Sequence, residues 1–279
     1  MPRYANVVRN SPTGPDVTAL TIHDLRALKG KRTIAYVQVA REEEAIAASE
    51  AGMDMVGTAF LPERSGWARA VPDTHFQYGL PWGRHASEIE ALRDAMAAMG
   101  AGAQSVYCGY SPRVVEALAR EGVPVICHVG LVPPKATWTG GYKAVGKDAD
   151  QAKMVWRQCQ EFEAAGAFAV EMEVVASELA AEITKRTSML TISLGSGPGC
   201  DAQYLFSADI LGEPGRVPRH AKQYRDFAAL RATMQRERVA AYREYIEDVA
   251  TGAFPQDAHS VPSTEKNWSE IFGDVSRLS

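Results

Sequence analysis

Short runs of apolar, often β-branched residues alternate along the chain with longer alanine-rich amphipathic segments. The short runs are typical of buried strands, and the longer segments repeat their apolar positions at helical spacing. The pattern predicts strands over residues 33–39, 53–57, 75–79, 104–108, 123–128, 167–174 and 190–194. It predicts helices over residues 42–51, 86–99, 112–120, 150–165, 177–185 and 227–251.

Two stretches interrupt this alternation. Residues 60–74 and 130–146 are rich in Gly and Pro and show no helical period, so we predict two long loops there. Strands that alternate with helices without a break in composition favour the α/β class, as a single (β/α)8 TIM barrel rather than a two-domain doubly wound fold. We expect one domain over residues 1–279, with the barrel at about 30–252 and a C-terminal tail at about 253–279.

Charge and composition exclude several classes of partner. The 279 residues have a formal net charge of −4, which offers no basic surface for nucleic acid. No stretch has the roughly 18 consecutive apolar residues of a membrane span, and the first residues lack the apolar segment of a signal peptide. We therefore expect a cytoplasmic protein with no nucleic-acid or membrane partner. Its four cysteines are too widely spaced for a zinc ribbon, so we expect buried free thiols.

The strongest candidate chemistry lies in the predicted strand 167–174. Glu171 and Glu173 are two residues apart and share one strand face, while Val170 and Met172 face the other way. In a barrel, the apolar set would pack on the helices and the carboxylates would enter the interior. Burial raises a carboxyl pKa towards the range of a general base, so Glu173 is our candidate base and Glu171 a candidate substrate ligand. The alternative is a pair of structural carboxylates held by a buried cation.

Two histidines and a glycine-rich turn add to the candidates. His128 ends a predicted strand, the position where TIM barrels carry their chemistry, although a structural hydrogen bond is an equal alternative. We expect His75, which follows Asp73, to line the mouth of the cavity. The turn GSGPG at residues 195–199 is suited either to binding an anion through backbone N–H groups or only to forming a tight turn.

Six segments, in the same order along the chain, resemble the ketopantoate hydroxymethyltransferase (PanB) family of the phosphoenolpyruvate mutase and isocitrate lyase superfamily. They are VPVICHVGLVPP (123–134), GGYKAVGKDAD (140–150), EAAGAFAVEMEVVASELAAEIT (163–184), ISLGSGPGCDAQYL (192–205), VPRHAKQYRDF (217–227) and TGAFPQDAHSV (251–261). The resemblance implies a TIM barrel in which a divalent metal holds a 2-oxo acid and stabilises its enolate. It further implies a glutamate base at Glu173, a substrate-contacting histidine at His128, methylene-tetrahydrofolate as the one-carbon donor, and a homo-oligomer, often a decamer.

The resemblance fails at the metal site. The family's Gly-Asp-Ser is Gly-Thr-Ala here, its Asp-Leu-Pro is Gly-Leu-Pro, and its Lys-x-Glu is Tyr-Cys-Gly; the residues at the altered positions are Thr58, Ala59, Gly79, Tyr107 and Gly109. No carboxylate remains there for Mg²⁺, which requires oxygen ligands. We therefore assign no metal ligands, and we expect an enlarged pocket in which Tyr107 and His128 polarise a carbonyl oxygen. The segment between strands 2 and 3 is also shorter than in the family.

These observations predict an enzyme that makes or breaks a C–C bond next to a carbonyl, in an aldol or retro-aldol reaction. We expect Glu173 to act as the base or acid, a small carbonyl compound to be the substrate, and tetrahydrofolate to be a candidate co-substrate. Two alternatives stay open at this stage. One is an authentic 3-methyl-2-oxobutanoate hydroxymethyltransferase whose metal is held by Glu171, Glu173 or His75, and the other is a non-catalytic ligand-binding relative.

Overall fold

The computed structural model describes residues 19–213, 217–264 and 266–273. Its eight strands are β1 (Ile34–Gln38), β2 (Met55–Ala59), β3 (His75–Gly79), β4 (Ser105–Tyr107), β5 (Val125–Gly130), β6 (Ala169–Glu173), β7 (Leu190–Leu194) and β8 (Ala202–Phe206). All neighbouring pairs are parallel, and β8 pairs with β1 to close the barrel. The predicted (β/α)8 TIM barrel is confirmed.

The helices are α1 (Ile22–Leu28), α2 (Glu42–Glu50), α3 (Trp67–Ala70), α4 (Glu88–Gly100), α5 (Pro112–Arg120), α6 (Ala136–Thr139), α7 (Ala149–Ala164), α8 (Ser177–Thr184), α9 (Ser207–Leu211), α10 (Phe227–Thr251) and α11 (Trp268–Phe272). Local signals fix several of their ends. Ser87 caps α4 by accepting from the Glu90 N–H, and Asp148 caps α7 by accepting from the Gln151 N–H. Each of the six predicted helices is present within one or two residues of its expected bounds.

The sequence pattern missed the last strand and two helices. β8 follows β7 after only the glycine-rich turn and a few further residues, with no helix between them, so the strand–helix alternation that identified the other strands is absent there. α1 precedes β1, and α9 is a short helix after β8. The two predicted loops also contain short helical segments, Pro62–Arg64 with α3 and Pro133–Lys135 with α6, each below the length at which a helical period is detectable.

Two apolar layers surround the strands. The outer layer lies between sheet and helices and includes Val56, Phe76 and Met172. The inner layer fills the lower part of the barrel, where Leu25 of α1 joins Ile34 and Leu190. The barrel is thus closed at the N-terminal ends of its strands, which leaves the C-terminal ends for the site.

His75 does not line the cavity mouth, so that expectation is wrong. The residue opens β3 and therefore lies at the closed end of the barrel, fully buried. Its Nδ1 is 2.7 Å from the Leu20 carbonyl oxygen, and its Nε2 is 2.8 Å from Ser105 Oγ. Burial lowers the pKa of His75 to about 4, which keeps the imidazole neutral in this structural role.

The chain divides into two compact units, Met1–Arg225 and Asp226–Ser279. The first holds the barrel, and the second holds α10 and α11. Asp226 caps α10 by accepting from the Ala229 N–H. The first 18 residues, and the last six residues of the predicted tail, lie outside the described residues. Within the described part of the chain, no helix has the length and apolar character needed to cross a membrane.

Candidate active site

Adjacent strands β5 and β6 carry a histidine and two glutamates into the barrel. Their register pairs His128 with Glu171 and Gly130 with Glu173. Val170 and Met172 belong to the outer apolar layer, and Ala169 belongs to the inner one. The two glutamates therefore face inward at the C-terminal end of β6, as the alternation of the sequence predicts.

Both ring nitrogens of His128 have partners within the protein. Nε2 is 2.8 Å from the carbonyl oxygen of Leu131, and Nδ1 is 2.6 Å from the hydroxyl of Tyr107. Burial lowers the pKa of His128 to about 4, so the ring is neutral near pH 7. A carbonyl oxygen only accepts, so Nε2 bears the proton and Nδ1 accepts from the Tyr107 hydroxyl. The structure thus brings Tyr107 and His128 together. Both of their protons are engaged in these hydrogen bonds, one to His128 Nδ1 and the other to the Leu131 carbonyl oxygen.

The two carboxyl groups have different environments. Glu173 Oε2 lies 3.5 Å from His128 Nε2, and burial raises the pKa of Glu173 to about 7. Glu171 Oε1 lies 3.8 Å from His128 Nδ1, and deeper burial together with the charge of Glu173 raises the pKa of Glu171 well above its usual value. Burial therefore favours the neutral form of Glu171, which can donate a hydrogen bond, while Glu173 is able both to take up and to release a proton near neutral pH.

The ring of Tyr107 occupies part of the space that two glycines leave open. An ideal Cβ on Gly79 would lie 3.4 Å from Tyr107 Cδ1, and one on Gly109 would lie 3.1 Å from the Tyr107 hydroxyl oxygen. Ala59 is paired with Gly79 in the register of β2 and β3, and it borders the same region. The pocket is therefore shaped by the phenol at this wall, and the two glycines do not simply add open volume.

Thr58 is not brought together with the carboxylates. Alternation along β2 directs Gly57 to the interior, where its Cβ would meet Tyr36 and Gln77, and directs Thr58 to the opposite face. The Thr58 hydroxyl donates to the Val39 carbonyl oxygen at 3.0 Å and accepts from Arg64 at 2.8 Å. The side chain is fully buried by these contacts.

The metal positions implied by the family resemblance do not fit a divalent cation. Thr58 faces away from the interior, Gly79 and Gly109 have no side chain, and the Tyr107 ring lies against both glycines. Magnesium needs several oxygen ligands in near-octahedral geometry, and this wall offers no carboxylate. We derive no step of the chemistry through a cation at these positions.

A different set of side chains has metal-binding character. Within the described residues, His128, Glu171 and Glu173 each offer one ligand atom, and these atoms lie within 4.8 Å of one another. Both nitrogens of His128 are already hydrogen-bonded, and burial favours protonated Glu171. A cation bound by all three would have to break one histidine hydrogen bond and displace the Glu171 proton.

The backbone next to Glu173 is strained. Val174 has φ +51°, a left-handed conformation that a β-branched residue rarely adopts. The conformation is held by two hydrogen bonds, since the Val174 N–H donates to Leu194 and the Val174 carbonyl accepts from Val145. Strain of about 1–3 kcal/mol is typical of such residues, and they are concentrated at functional sites. The left-handed conformation of Val174 turns the chain sharply after Glu173, the candidate base.

The glycine-rich turn has a geometric role. Gly195 and Gly197 have positive φ, and a Cβ on Gly197 would lie 2.6 Å from the Ser177 Cβ. Ser196 between them is fully buried, donates to the Met172 carbonyl oxygen at 2.6 Å and accepts from the Val175 N–H. These contacts explain the turn as a close connection that supports the end of β6.

Sequence reasoning missed three side chains near the carboxylates. Lys135 Nζ is 3.5 Å from the Gly109 carbonyl oxygen, and its charge adds to the burial that lowers the pKa of His128. Tyr36 stacks on Tyr204 with ring centroids 4.4 Å apart, and its hydroxyl donates to Gln77. The inward face of β1 and β3 could have suggested Tyr36 and Gln77, whereas nothing in the sequence signals the position of Lys135 in its loop.

A surface pocket of about 480 Å³ lies away from these groups, at the N-terminal ends of α4 and α5. Its polar side chains are paired with one another. His85 contacts Asp94 at 2.8 Å and the Tyr110 hydroxyl at 3.0 Å, and Arg113 contacts Glu88 at 2.7 Å. The barrel interior, with its carboxyl groups of raised pKa, is the better candidate active site.

Comparison with known proteins finds relatives that match most of the chain. The chain is 37% identical over 211 residues to 3-methyl-2-oxobutanoate hydroxymethyltransferase of Geobacillus thermodenitrificans (strain NG80-2), covering 74% of this chain and 73% of that protein. It is 33% identical over 264 residues to the enzyme of the same name from Staphylothermus marinus, covering 86% and 95%.

Among solved structures, the fold is similar to that of 2,3-dimethylmalate lyase, a PEP mutase/isocitrate lyase superfamily member. The TM-score is 0.50 at 16% identity, with 87% of this chain and 92% of that chain covered, which bears on the fold alone. The model of the ketopantoate hydroxymethyltransferase family matches residues 59–257. With that match and the two relatives, the chain belongs to the ketopantoate hydroxymethyltransferase family.

Proposed function

We propose that this protein forms or cleaves a C–C bond next to the carbonyl of a small 2-oxo acid, with Glu173 as the general base and acid and without a metal ion. The observation that carries the proposal is the environment of the Glu173 carboxyl. It lies at the end of a barrel strand beside neutral His128, and burial raises its pKa to about 7. A base with a pKa near the working pH is the most effective for proton transfer. The names of the relatives make 3-methyl-2-oxobutanoate the first substrate to test.

In the forward direction, the Glu173 carboxylate removes the proton from C3 of the 2-oxo acid. The C3–H electron pair forms a C2–C3 double bond, and the carbonyl oxygen takes the negative charge. Carbon 3 of this enolate then attacks the carbon of formaldehyde, the C=O π electrons move to the formaldehyde oxygen, and that oxygen takes the proton from Glu173. Methylene-tetrahydrofolate, which water hydrolyses to tetrahydrofolate and formaldehyde, is the candidate one-carbon donor. Bond cleavage is the same sequence in reverse, with the protonated Glu173 returning the proton to C3.

The charges around the pocket support enolate formation in the absence of a cation at the implied metal positions. Burial raises the pKa of Glu171 and so favours its neutral form, which donates a hydrogen bond instead of repelling an anion. Lys135, above the Gly109 carbonyl, supplies a positive charge for the substrate carboxylate. Hydrogen-bond donors and fixed charges in a buried site stabilise a developing oxyanion strongly.

A second candidate is the same reaction with a metal bound by His128, Glu171 and Glu173. The observation in its favour is that their ligand atoms lie within 4.8 Å of one another. It requires the Tyr107–His128–Leu131 hydrogen bonds to rearrange, which is why we prefer the metal-independent reaction.

The proposal is tested by incubating chelator-treated protein with 3-methyl-2-oxobutanoate and either formaldehyde or methylene-tetrahydrofolate. We expect a hydroxymethylated product, detected by NMR, and a loss of about 100-fold or more in Glu173→Gln. Glu116→Gln, on the exposed side of α5, is the matched control and should retain full activity. Product that forms only after Mg²⁺ or Zn²⁺ is restored would favour the second candidate, and no product with or without metal would point to a binding role.

A further inference from the structure

Gln77 carries a buried amide whose nitrogen has no hydrogen-bond partner among the described residues. Within the part of the chain that the structure describes, Gln77 Nε2 is the one buried side-chain nitrogen or oxygen without a hydrogen-bond partner. Gln77 lies at the centre of β3 and is 2% exposed. An amide N–H group buried without an acceptor destabilises the fold, so such groups in native proteins require an explanation.

The neighbours of Gln77 fix the direction of its amide. The Tyr36 hydroxyl donates to Gln77 Oε1, and the stack of Tyr36 on Tyr204 holds that hydroxyl in place. Gly57 leaves room for this pair, because its Cβ would lie 2.5 Å from the Tyr36 oxygen and 2.6 Å from Gln77 Oε1.

Gln77 Nε2 faces the candidate active site. It lies 3.5 Å from the position of a Cβ on Gly79, and Tyr107 Cδ1 lies 3.4 Å from the same point. Tyr107 in turn contacts His128, which contacts both glutamates. The unpaired amide nitrogen therefore lies beside Gly79 and Tyr107, next to the proposed proton-transfer groups.

Two other neutral donors of this region, Tyr107 and His128, are engaged within the protein. The Tyr107 hydroxyl donates to His128 Nδ1, and His128 Nε2–H donates to the Leu131 carbonyl oxygen. A carbonyl oxygen entering the pocket would have to break this chain to receive either proton. Gln77 offers its N–H without breaking any hydrogen bond.

We propose that Gln77 Nε2 donates a hydrogen bond to the C2 carbonyl oxygen of a bound 2-oxo acid and thereby selects for ligands that carry this oxygen. The inference rests on the proposed function for the substrate class. It adds a substrate-binding residue that takes the place of the cation at that oxygen. The Tyr36–Gln77 pair is then a preorganised donor, with Tyr36 as a positioning residue.

The test compares two ligands and two proteins. 3-Methyl-2-oxobutanoate carries the C2 oxygen, and 3-methylbutanoate lacks it. The double variant Tyr36→Phe/Gln77→Met removes both hydrogen-bonding groups and nearly keeps their shapes, so no buried group of the pair is left unpaired. Gln203→Met is the matched control, because the Gln203 amide donates to Gly197 and is exposed. Dissociation constants are measured by ligand-observed NMR, and melting temperatures are measured in parallel.

We expect wild-type protein to prefer the 2-oxo acid over 3-methylbutanoate by about tenfold or more, which is the size of one good hydrogen bond. The double variant should lose that preference and melt at the same or a higher temperature, and Gln203→Met should keep the preference. The inference is overturned if wild-type protein shows no preference, if the double variant keeps it, or if the variant melts at a clearly lower temperature. Binding preference without C–C chemistry would reject the proposed function and leave this inference standing.

Discussion

At the residue scale, Glu173 combines position and acidity. The strand end exposes its carboxyl to the pocket, and burial raises its pKa to about 7, whereas the deeper burial of Glu171 raises the pKa of that carboxyl well above its usual value. Two carboxyl groups two residues apart thus receive different roles from burial alone. The neutral His128 lies between them and orders the site by hydrogen bonding to Tyr107 and Leu131.

This acidity predicts a pH dependence. The base form of Glu173 is the ionised one, so the rate of proton removal should rise with pH and level off above about pH 7. An unperturbed glutamate would instead be fully active from about pH 5 upward. The measurement is kcat/KM for product formation from pH 5 to pH 9. A profile that is flat between pH 5 and pH 9 would contradict the role of burial at Glu173.

Sequence reasoning reached some of these residues and not others. Glu171, Glu173 and His128 were predicted because alternation and position at a strand end are local properties of the chain. The Tyr36–Gln77 pair was not, because it joins β1 to β3 past the intervening strand β2 and depends on the glycine at position 57. The prediction for His75 was wrong because His75 is the first residue of β3 and therefore lies at the closed end of the barrel, not at the end that carries the site.

At the element scale, β5 and β6 approach closely where Gly130 pairs with Glu173, the candidate general base. Gly130 has φ +91°, and a Cβ there would overlap the carbonyl oxygen of Glu173 and lie 2.6 Å from Val175 Cγ2. The same carbonyl accepts from the Leu131 N–H at 2.8 Å. The glycine therefore sets the distance between the strand that carries His128 and the strand that carries Glu173.

We predict that Gly130→Ala destabilises the protein and displaces Glu173. The matched control is Gly52→Ala, which also has positive φ, +85°, but has open space around its Cβ position. The control should lose about 1 kcal/mol of unfolding free energy, and Gly130→Ala about 2–4 kcal/mol, because the backbone must also move. Urea unfolding compares the two variants. Equal losses, with activity retained in Gly130→Ala, would show that this close approach is unimportant.

The elements themselves were largely predictable, with informative exceptions. Alternation of strands with amphipathic helices identified seven strands and six helices and led to the barrel. The eighth strand, AQYLF, was not predicted, because no helix lies between it and β7 and the strand–helix alternation is therefore missing there. The number eight came from the (β/α)8 architecture that the alternation favours, and no local segment encodes it.

At the scale of the whole molecule, the apolar core, the unpaired Gln77 amide and the candidate active site follow one another inside the barrel, from the N-terminal to the C-terminal ends of the strands. Leu25 and His75 mark the closed end, and Gln77 and Glu173 lie further towards the C-terminal strand ends. The chain belongs to the ketopantoate hydroxymethyltransferase family, and the wall formed by Gly79, Tyr107 and Gly109 offers no carboxylate. In the function proposed above, the interior supplies Glu173 as the base and Gln77 as a donor to the substrate oxygen.

The second compact unit bears apolar side chains in open positions, including Tyr242, Ile246, Trp268 and Phe272, each about half exposed or more. Exposed apolar groups of this kind mark association surfaces. We propose that the protein forms a homo-oligomer through this unit. Light scattering of the full chain should give a mass several times 30.3 kDa, and Ile246→Glu with Phe272→Glu should reduce it. A monomeric mass for the unaltered protein would contradict the proposal.

In the proposed reaction, Glu173 removes a proton from carbon 3 of a 2-oxo acid without a metal ion. The most direct measurement is NMR-detected hydrogen–deuterium exchange at C3 of 3-methyl-2-oxobutanoate, after chelation and again with Mg²⁺ restored. We predict exchange at the same rate in both conditions, and its disappearance in Glu173→Gln. Exchange that appears only with Mg²⁺ would show that a metal is required, and exchange that persists in Glu173→Gln would show that Glu173 is not the base.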